Sequence, residues 1–137
     1  EFCKYCKIPV LIYGDTADRS PREKMSLYSY IDWEKPKLNE EAALMGIESI
    51  SNNRDGMALR ILAEKLVKAP QNTKLLISIS DGQPKAVPDY TGELANNDMK
   101  QVIQEYSRKG ISVFGCCHWT RIRKPFVIFT DRNVFWI

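Results

Sequence analysis

The sequence predicts an α/β fold built on a doubly wound, Rossmann-like open sheet that is mostly parallel. Between residues 56 and 115 a helix, a strand, a loop, a second helix and a second strand follow one another, the order typical of a parallel βαβ unit. The segment at residues 75–79 is apolar apart from Ser78, as in strands covered on both faces. Two short strand-like segments near the N-terminus, one apolar and one alternating apolar with polar residues, predict an antiparallel ribbon at the edge of this sheet.

Length and composition fit one globular domain, since the chain has 137 residues, 44% of them hydrophobic, and a net charge of +3. No apolar run approaches the roughly 18 residues that cross a bilayer, and no segment resembles a signal peptide. Charges of both signs are mixed, and a solvated loop explains the basic segment at residues 121–124. We therefore expect a cytoplasmic protein with neither a nucleic-acid nor a membrane partner.

Four cysteines form two pairs, Cys3 with Cys6 and Cys116 with Cys117, and the second pair is followed by His118. A split zinc site or a redox pair is one interpretation of this pattern. It is disfavoured because adjacent residues on a strand point to opposite faces, and because no second C-x-x-C occurs. Free thiols in a reducing compartment are the preferred interpretation.

The N-terminal segments predict a ribbon followed by a short helix. Residues 8–13 are an apolar strand, and residues 25–33 alternate apolar with polar side chains, so the two segments could pair across the loop between them. Residues 40–50 predict a helix with Asn39 as its N-cap.

Two longer helices follow. Apolar residues at helical spacing predict the first from about residue 56 to 68, with Asp55 well placed to cap it. Residues 83–97 predict a polar loop, and residues 98–109 a second helix that Gly110 ends. The expected inner face of the second helix is formed by Met99, Val102, Ile103 and Tyr106.

Polar side chains gather at one end of the predicted parallel unit. Ser80 and Asp81 end the apolar strand, while Asn53 and Asp55 precede the helix that leads into it. Because that helix and the strand run in opposite directions, Asp55 and Asp81 can converge on one rim of the sheet. Two carboxylates with further oxygens from Asn53 and Ser80 would suit a hard cation such as Mg²⁺. The alternative is structural, with Asp55 a helix cap and Asp81 part of a turn.

Three segments together resemble the von Willebrand factor type A (VWA) domain. They are residues 8–14, the Asn-x-Asp-Gly-x-Ala-Leu motif at residues 53–59, and residues 74–84 with their Ser-Asp-Gly motif. The nearest likeness is to the bacterial branch found in nitric oxide reductase activation proteins and the cobalt-chelatase large subunit. The resemblance covers residues 2–115, and we assign residues 1–115 to a partial VWA-like domain.

The resemblance implies a metal-ion-dependent adhesion site for Mg²⁺ or Mn²⁺ in which Asp81 is the third ligand group. Asp55, or with less support Asn53, stands at the second. The first group, an Asp-x-Ser-x-Ser motif, occurs nowhere in the chain. It would precede Phe2, so we expect a chain that lacks the first strand and begins at a fragment boundary, with an incomplete site that could stay empty.

Residues 116–137 depart from the family pattern and are expected to form a divergent C-terminal tail. This tail is either native sequence or the product of two frame shifts, which the coding DNA would distinguish. As native sequence, Val127, Phe129 and Phe135 are typical of a β-strand.

The resemblance implies a non-enzymatic protein-binding module. Its expected setting is work with an AAA+ ATPase of the MoxR kind in maturation or activation of a target enzyme such as nitric oxide reductase. A Mg²⁺-dependent phosphoryl-transfer or hydrolytic enzyme is the alternative class, but no phosphate-binding glycine loop, nucleophile elbow or second histidine supports it. A truncated fragment without independent function is a third interpretation, because a missing central strand exposes sheet edges.

Overall fold

A computed structural model describes residues 2–117, 127–129 and 134–136. The basic segment at residues 121–124 and His118 lie outside the described residues. The chain divides into two compact units, Glu1–Asn53 and Arg54–Ile137. No helix in the described part of the chain combines the length and the apolar character that crossing a membrane requires.

The first unit contains helix α1 (Phe2–Tyr5), strands β1 (Ile12–Thr16) and β2 (Ser26–Ile31), and helix α2 (Glu40–Met45). The two strands pair antiparallel, with Ile12 opposite Ile31 and Thr16 opposite Ser26. The predicted antiparallel pairing of the two N-terminal strands is therefore confirmed.

The largest boundary differences in the first unit are at the start of β1 and at the end of α2. Strand β1 begins at Ile12 rather than residue 8, and Pro9, which has no N–H to donate to a ladder, lies in the excluded part. Helix α2 begins as expected, because the Asn39 side chain accepts a 2.9 Å hydrogen bond from the N–H of Ala42. It ends at Met45 rather than residue 50, because Gly46 follows it as the C-cap.

The second unit contains helix α3 (Asp55–Lys68), strand β3 (Lys74–Ser80), helix α4 (Gly92–Arg108) and strand β4 (Ile111–Cys117). Strands β3 and β4 pair in parallel, with Lys74 opposite Ile111 and Ser80 opposite Cys117. Since α4 connects them, the predicted βαβ unit is confirmed.

The C-terminal segment contributes strands β5 (Val127–Phe129) and β6 (Val134–Trp136), which pair antiparallel. The strand character expected of Val127, Phe129 and Phe135 is thus observed. Each sheet of the described residues has two strands, one sheet parallel and two antiparallel. The described chain is therefore a mixed α/β protein whose N-terminal ribbon forms a sheet of its own rather than the edge of the parallel one. A doubly wound sheet stays a prediction.

The core of the second unit lies between the helices and one face of the β3–β4 pair. Helices α3 and α4 supply it with residues at helical spacing, and the two strands supply alternate residues. Its buried members are Leu59, Ala63, Leu76, Val102, Ile103, Tyr106, Ile111 and Val113. Met99 packs against this cluster, so the predicted inner face of α4 is confirmed.

Strand β3 is not buried on both faces, which corrects the expectation for residues 75–79. Leu76 is buried, whereas Leu75, Ile77 and Ile79 are 51%, 57% and 83% exposed. Successive side chains on a strand point to opposite faces, and α3 and α4 pack on the face that holds Leu76. A short, mostly apolar run does not reveal whether one face of the strand or both will be covered.

Helix α4 begins at Gly92, six residues before the predicted start at residue 98. Asn96 and Asn97 are weak helix formers, so local propensity predicts a later start, whereas full burial of Ala95 stabilises the additional helical turn. At the other end, Gly110 adopts a φ of +83°, a conformation natural to glycine, and the helix stops as predicted.

Candidate functional site

The beginning of α3 and the end of β3 meet at one edge of the parallel pair. Ser80 Oγ lies 3.2 Å from Asp55 Oδ2 and donates a hydrogen bond to it. Asp55 is 5% exposed, so this carboxylate belongs to the interior of the second unit. The structure therefore brings Asp55 to the carboxyl end of β3, where parallel sheets place their ligands.

Asp55 is not the N-cap of α3, which corrects the capping prediction. The helix begins at Asp55 itself, and the cap position is held by Arg54, whose side chain makes no capping hydrogen bond. A carboxylate in the first turn still benefits from the positive end of the helix dipole.

Asp81 belongs to a tight turn directly after β3. Its Oδ1 accepts a 2.9 Å hydrogen bond from the N–H of Gln83, and Gly82 between them has a φ of +77°. The N–H of Gly82 also donates to Ser80 Oγ over 3.0 Å. The predicted turn is thus present, and it holds the exposed Asp81 carboxylate next to the serine that contacts Asp55.

The predicted donors do not all belong to one unit. Asp55, Ser80 and Asp81 lie in the second unit, whereas Asn53 is the last residue of the first. In the described part of the chain, no three or more side chains of His, Cys, Asp or Glu gather as a metal centre. The described geometry therefore offers two carboxylates and one hydroxyl.

Tyr90 is the residue that sequence reasoning missed. Its hydroxyl accepts a 3.0 Å hydrogen bond from the N–H of Gly56 and donates a 2.9 Å bond to Asp98 Oδ2. The other oxygen of Asp98 accepts from Arg60 over 3.0 Å. Burial, together with the neighbouring carboxylates, raises the pKa of the Tyr90 hydroxyl well above its usual range.

Gly56 explains part of the Asn-x-Asp-Gly motif. A Cβ at this position would lie 2.0 Å from Asp98 Oδ2 and 2.7 Å from the Tyr90 hydroxyl. Only glycine admits so close an approach of two polar side chains to the helix backbone. The glycine was the available signal that something packs against α3 here, but it could not identify Tyr90.

The loop before α4 presents Tyr90 in a fixed position. Ala86 and Tyr90 exchange backbone hydrogen bonds of 2.8 and 3.0 Å. The guanidinium of Arg54 lies 5.4 Å from the centre of the Tyr90 ring and donates to the carbonyl of Val87. The loop is therefore attached to Arg54, which occupies the N-cap position of α3.

Among the cysteines, Cys3 and Cys6 are free thiols. Cys116 and Cys117 form the end of β4, and their pairing with His118 lies outside the described residues.

Comparison with known proteins connects the chain to NorD proteins. It is 38% identical to Protein NorD of Brucella abortus (strain 2308) over 61 residues, which are 44% of this chain and 10% of the relative. It is 26% identical to Protein NorD of Stutzerimonas stutzeri over 107 residues, 77% of this chain and 17% of that relative.

A third relative is the uncharacterized protein YojO of Bacillus subtilis (strain 168), 27% identical over 118 residues that cover 82% of this chain and 18% of YojO. No protein-family model matches the chain. No solved structure matches it either. The chain spans between 10% and 18% of the length of these curated relatives. It is therefore similar to NorD proteins, at low identity over part of each sequence.

Proposed function

We propose that the chain is a cation-assisted protein-binding module of the VWA type. The 3.2 Å contact between Ser80 Oγ and Asp55 Oδ2 carries this proposal. It connects the Asn-x-Asp-Gly motif to the Ser-Asp-Gly motif, which are far apart in sequence and which the resemblance assigns to one site. The motifs meet at the sheet edge where such a site belongs.

The donors fit a hard divalent cation. Asp55, Ser80 and Asp81 would hold Mg²⁺ or Mn²⁺ through oxygen atoms, the ligands that both ions prefer. Three protein donors leave coordination positions for water and for a carboxylate of a partner protein, which is the chemistry the ion supplies when bound. Asp55 and Ser80 orient each other, and the turn at Gly82 orients Asp81.

The expected partners are an AAA+ ATPase of the MoxR kind and a target enzyme such as nitric oxide reductase. Two observations support this setting: the resemblance of the motifs to the nitric oxide reductase activation branch, and the similarity to Protein NorD from two genera. The module is not an enzyme in this proposal, because its site binds rather than transforms a partner. Asn53 remains a candidate fourth donor.

The test is a Mn²⁺ titration of the whole chain followed by electron paramagnetic resonance. We expect Asp81→Ala to weaken binding at least about tenfold, since it removes a charged ligand. Asp89→Ala is the matched control, because Asp89 is another exposed aspartate in the same loop between β3 and α4. Equal Mn²⁺ affinity in the wild type and Asp81→Ala would refute the cation site.

The partner is tested separately. A purified MoxR-type ATPase should co-elute with the wild-type chain in Mg²⁺ and dissociate when EDTA is added. Association that is equally strong in EDTA would contradict a cation-assisted interface while leaving the partner itself in place.

A further inference from the structure

Helix α3 obtains its N-terminal cap from a distant part of the chain. The first N–H groups of a helix have no partner within it and need an external acceptor. The N–H groups of Met57 and Ala58 use the carbonyl of Arg54, at 3.0 and 3.1 Å. The N–H of Gly56 donates instead to the hydroxyl of Tyr90, which lies 34 residues further along the sequence.

This acceptor is held rigidly. Tyr90 is 8% exposed, its backbone pairs with Ala86, and its hydroxyl proton is committed to Asp98. Arg60, which lies on α3, forms an ion pair with Asp98 on α4. Asp98 is therefore held in place by the side chains of both Arg60 and Tyr90. The hydroxyl therefore keeps one orientation, with a lone pair directed at Gly56.

We propose that Tyr90 is the positioning residue of the cation site, acting by capping α3 at Gly56 and so fixing Asp55 against Ser80. The inference rests on the proposed function, because it concerns the same site. Asp55 and Gly56 share a peptide bond, so a shift of the first turn of α3 displaces the Asp55 carboxylate. Without the hydroxyl, the buried N–H of Gly56 loses its acceptor. The first turn of α3 is then expected to fray, because fraying lets this N–H bind water.

Tyr90→Phe removes this hydroxyl and nothing else. Tyr106→Phe is a matched control, because Tyr106 is also buried, also joins α4 to α3, and donates to Glu64 near the opposite end of α3. In the Mn²⁺ titration of the whole chain, we expect Tyr90→Phe to weaken binding about fivefold and Tyr106→Phe to leave it unchanged. Both variants should lose thermal stability, so a loss of affinity confined to Tyr90→Phe separates positioning from general destabilisation.

A rescue variant tests the capping mechanism itself. Serine at a cap position accepts from the helix N–H groups through its own side chain, which Arg54 does not. Arg54→Ser in the Tyr90→Phe background should therefore restore Mn²⁺ affinity to within about twofold of Arg54→Ser alone. The comparison with Arg54→Ser removes two effects of losing the arginine: the missing positive charge near the cation, and the missing contacts with the Tyr90 ring and the Val87 carbonyl.

Each outcome decides between the two proposals. If the wild type binds Mn²⁺, Asp81→Ala loses it and Tyr90→Phe matches Tyr106→Phe, the cation site stands and the positioning role is wrong. If Tyr90→Phe weakens binding but serine at position 54 restores nothing, capping is wrong as the mechanism. If the wild type binds no Mn²⁺, both proposals fail.

Discussion

Two tyrosines join α3 to α4, one near each end of α3, and they do so in different ways. Tyr90 and Tyr106 are both buried, at 8% and 1% exposure. The hydroxyl of Tyr90 binds a backbone N–H and the half-buried Asp98, whereas the hydroxyl of Tyr106 donates over 2.7 Å to Glu64, whose side chain is 45% exposed.

The Tyr106 end is an exposed ionic network. Lys109 lies 3.1 Å from Glu64 and 2.9 Å from Glu105, and its ammonium group is 4.4 Å from the centre of the Tyr106 ring. The hydrogen bond from Tyr106 lowers the pKa of the Glu64 carboxyl, and the bonds to Glu105 and Glu64 raise the pKa of Lys109. Water and salt screen such groups, so they can exchange partners at little cost.

The two ends of α3 therefore differ in how firmly they hold the position of the helix. A buried bond to a backbone N–H has no solvent alternative, and it therefore fixes the position of the helix terminus. An exposed network contributes some stability but tolerates rearrangement. The candidate cation site lies at the Tyr90 end, where the helix terminus is fixed.

Among the substitutions that test this difference, Gly56→Ala should reduce the free energy of unfolding the most. Its Cβ would lie 2.0 Å from Asp98 Oδ2, so Tyr90 and Asp98 must both move away from α3. We expect a loss of about 2–3 kcal/mol in the free energy of unfolding, measured by urea denaturation, because the two side-chain ends can shift only by breaking their hydrogen bonds near Gly56.

Gly110→Ala is the control for Gly56→Ala at the other end of the unit. Nothing lies within 4 Å of a Cβ at Gly110, and its φ of +83° leaves backbone strain as the single cost. That strain amounts to about 1–2 kcal/mol. A loss for Gly56→Ala no larger than for Gly110→Ala would contradict the close packing at the Tyr90 end.

The next effect is expected at the two carboxylates that share Arg60. Asp98→Ala leaves the buried Tyr90 hydroxyl without its acceptor and should cost about 2 kcal/mol in urea denaturation. Glu105→Ala removes an exposed partner of the same arginine and should cost less than about 1 kcal/mol. Equal losses would mean that the two ends of the helix pair do not differ.

Alkaline pH should destabilise the unit through both tyrosines. Burial is the main cause that raises the pKa of each, aided by Asp98 and Asp55 around Tyr90 and by Glu64 and Glu105 around Tyr106. A pKa that folding raises contributes stability below the unfolded value, about pH 10, and that stability is lost as the pH rises above it. Lys109, whose pKa is also raised, acts in the same direction.

We expect each tyrosine to add at most about 1.4 kcal/mol per pH unit to the loss of unfolding free energy above pH 10. Urea midpoints at pH 9, 10 and 11 measure it. Tyr90→Phe and Tyr106→Phe should each flatten the decline, and an unchanged slope in both would show that neither hydroxyl is shielded by folding.

The smallest effect is expected for Lys109→Met. This change removes the exposed ion pairs with Glu64 and Glu105 but keeps an apolar side chain near the Tyr106 ring. The loss of unfolding free energy should be the smallest of the series and should vanish in 1 M NaCl, where exposed ion pairs are screened. A loss that persists in high salt would mean that the Tyr106 end is as rigid as the Tyr90 end.

The motifs of the candidate site were found in the sequence, but their connections were not. Asp55 and Asp81 were recognised because each stands at the end of a regular element. The capping prediction for Asp55 was wrong because aspartate is favourable both at the N-cap and at the first helical position. The sequence does not distinguish the two positions. The turn at Asp81 was predicted because its bonds close within two residues.

Helix α1 was not predicted. The types and order of the other helices and of strands β1 to β4, the inner face of α4 and the two motifs follow from local sequence. These features depend on backbone bonds and side-chain periodicities that lie close along the chain. The tertiary structure alone decided that Ser80 contacts Asp55, that one face of β3 is exposed, and that Tyr90 caps α3. Contacts across 25 and 34 residues depend on how the helices pack against the strands, which no local pattern encodes.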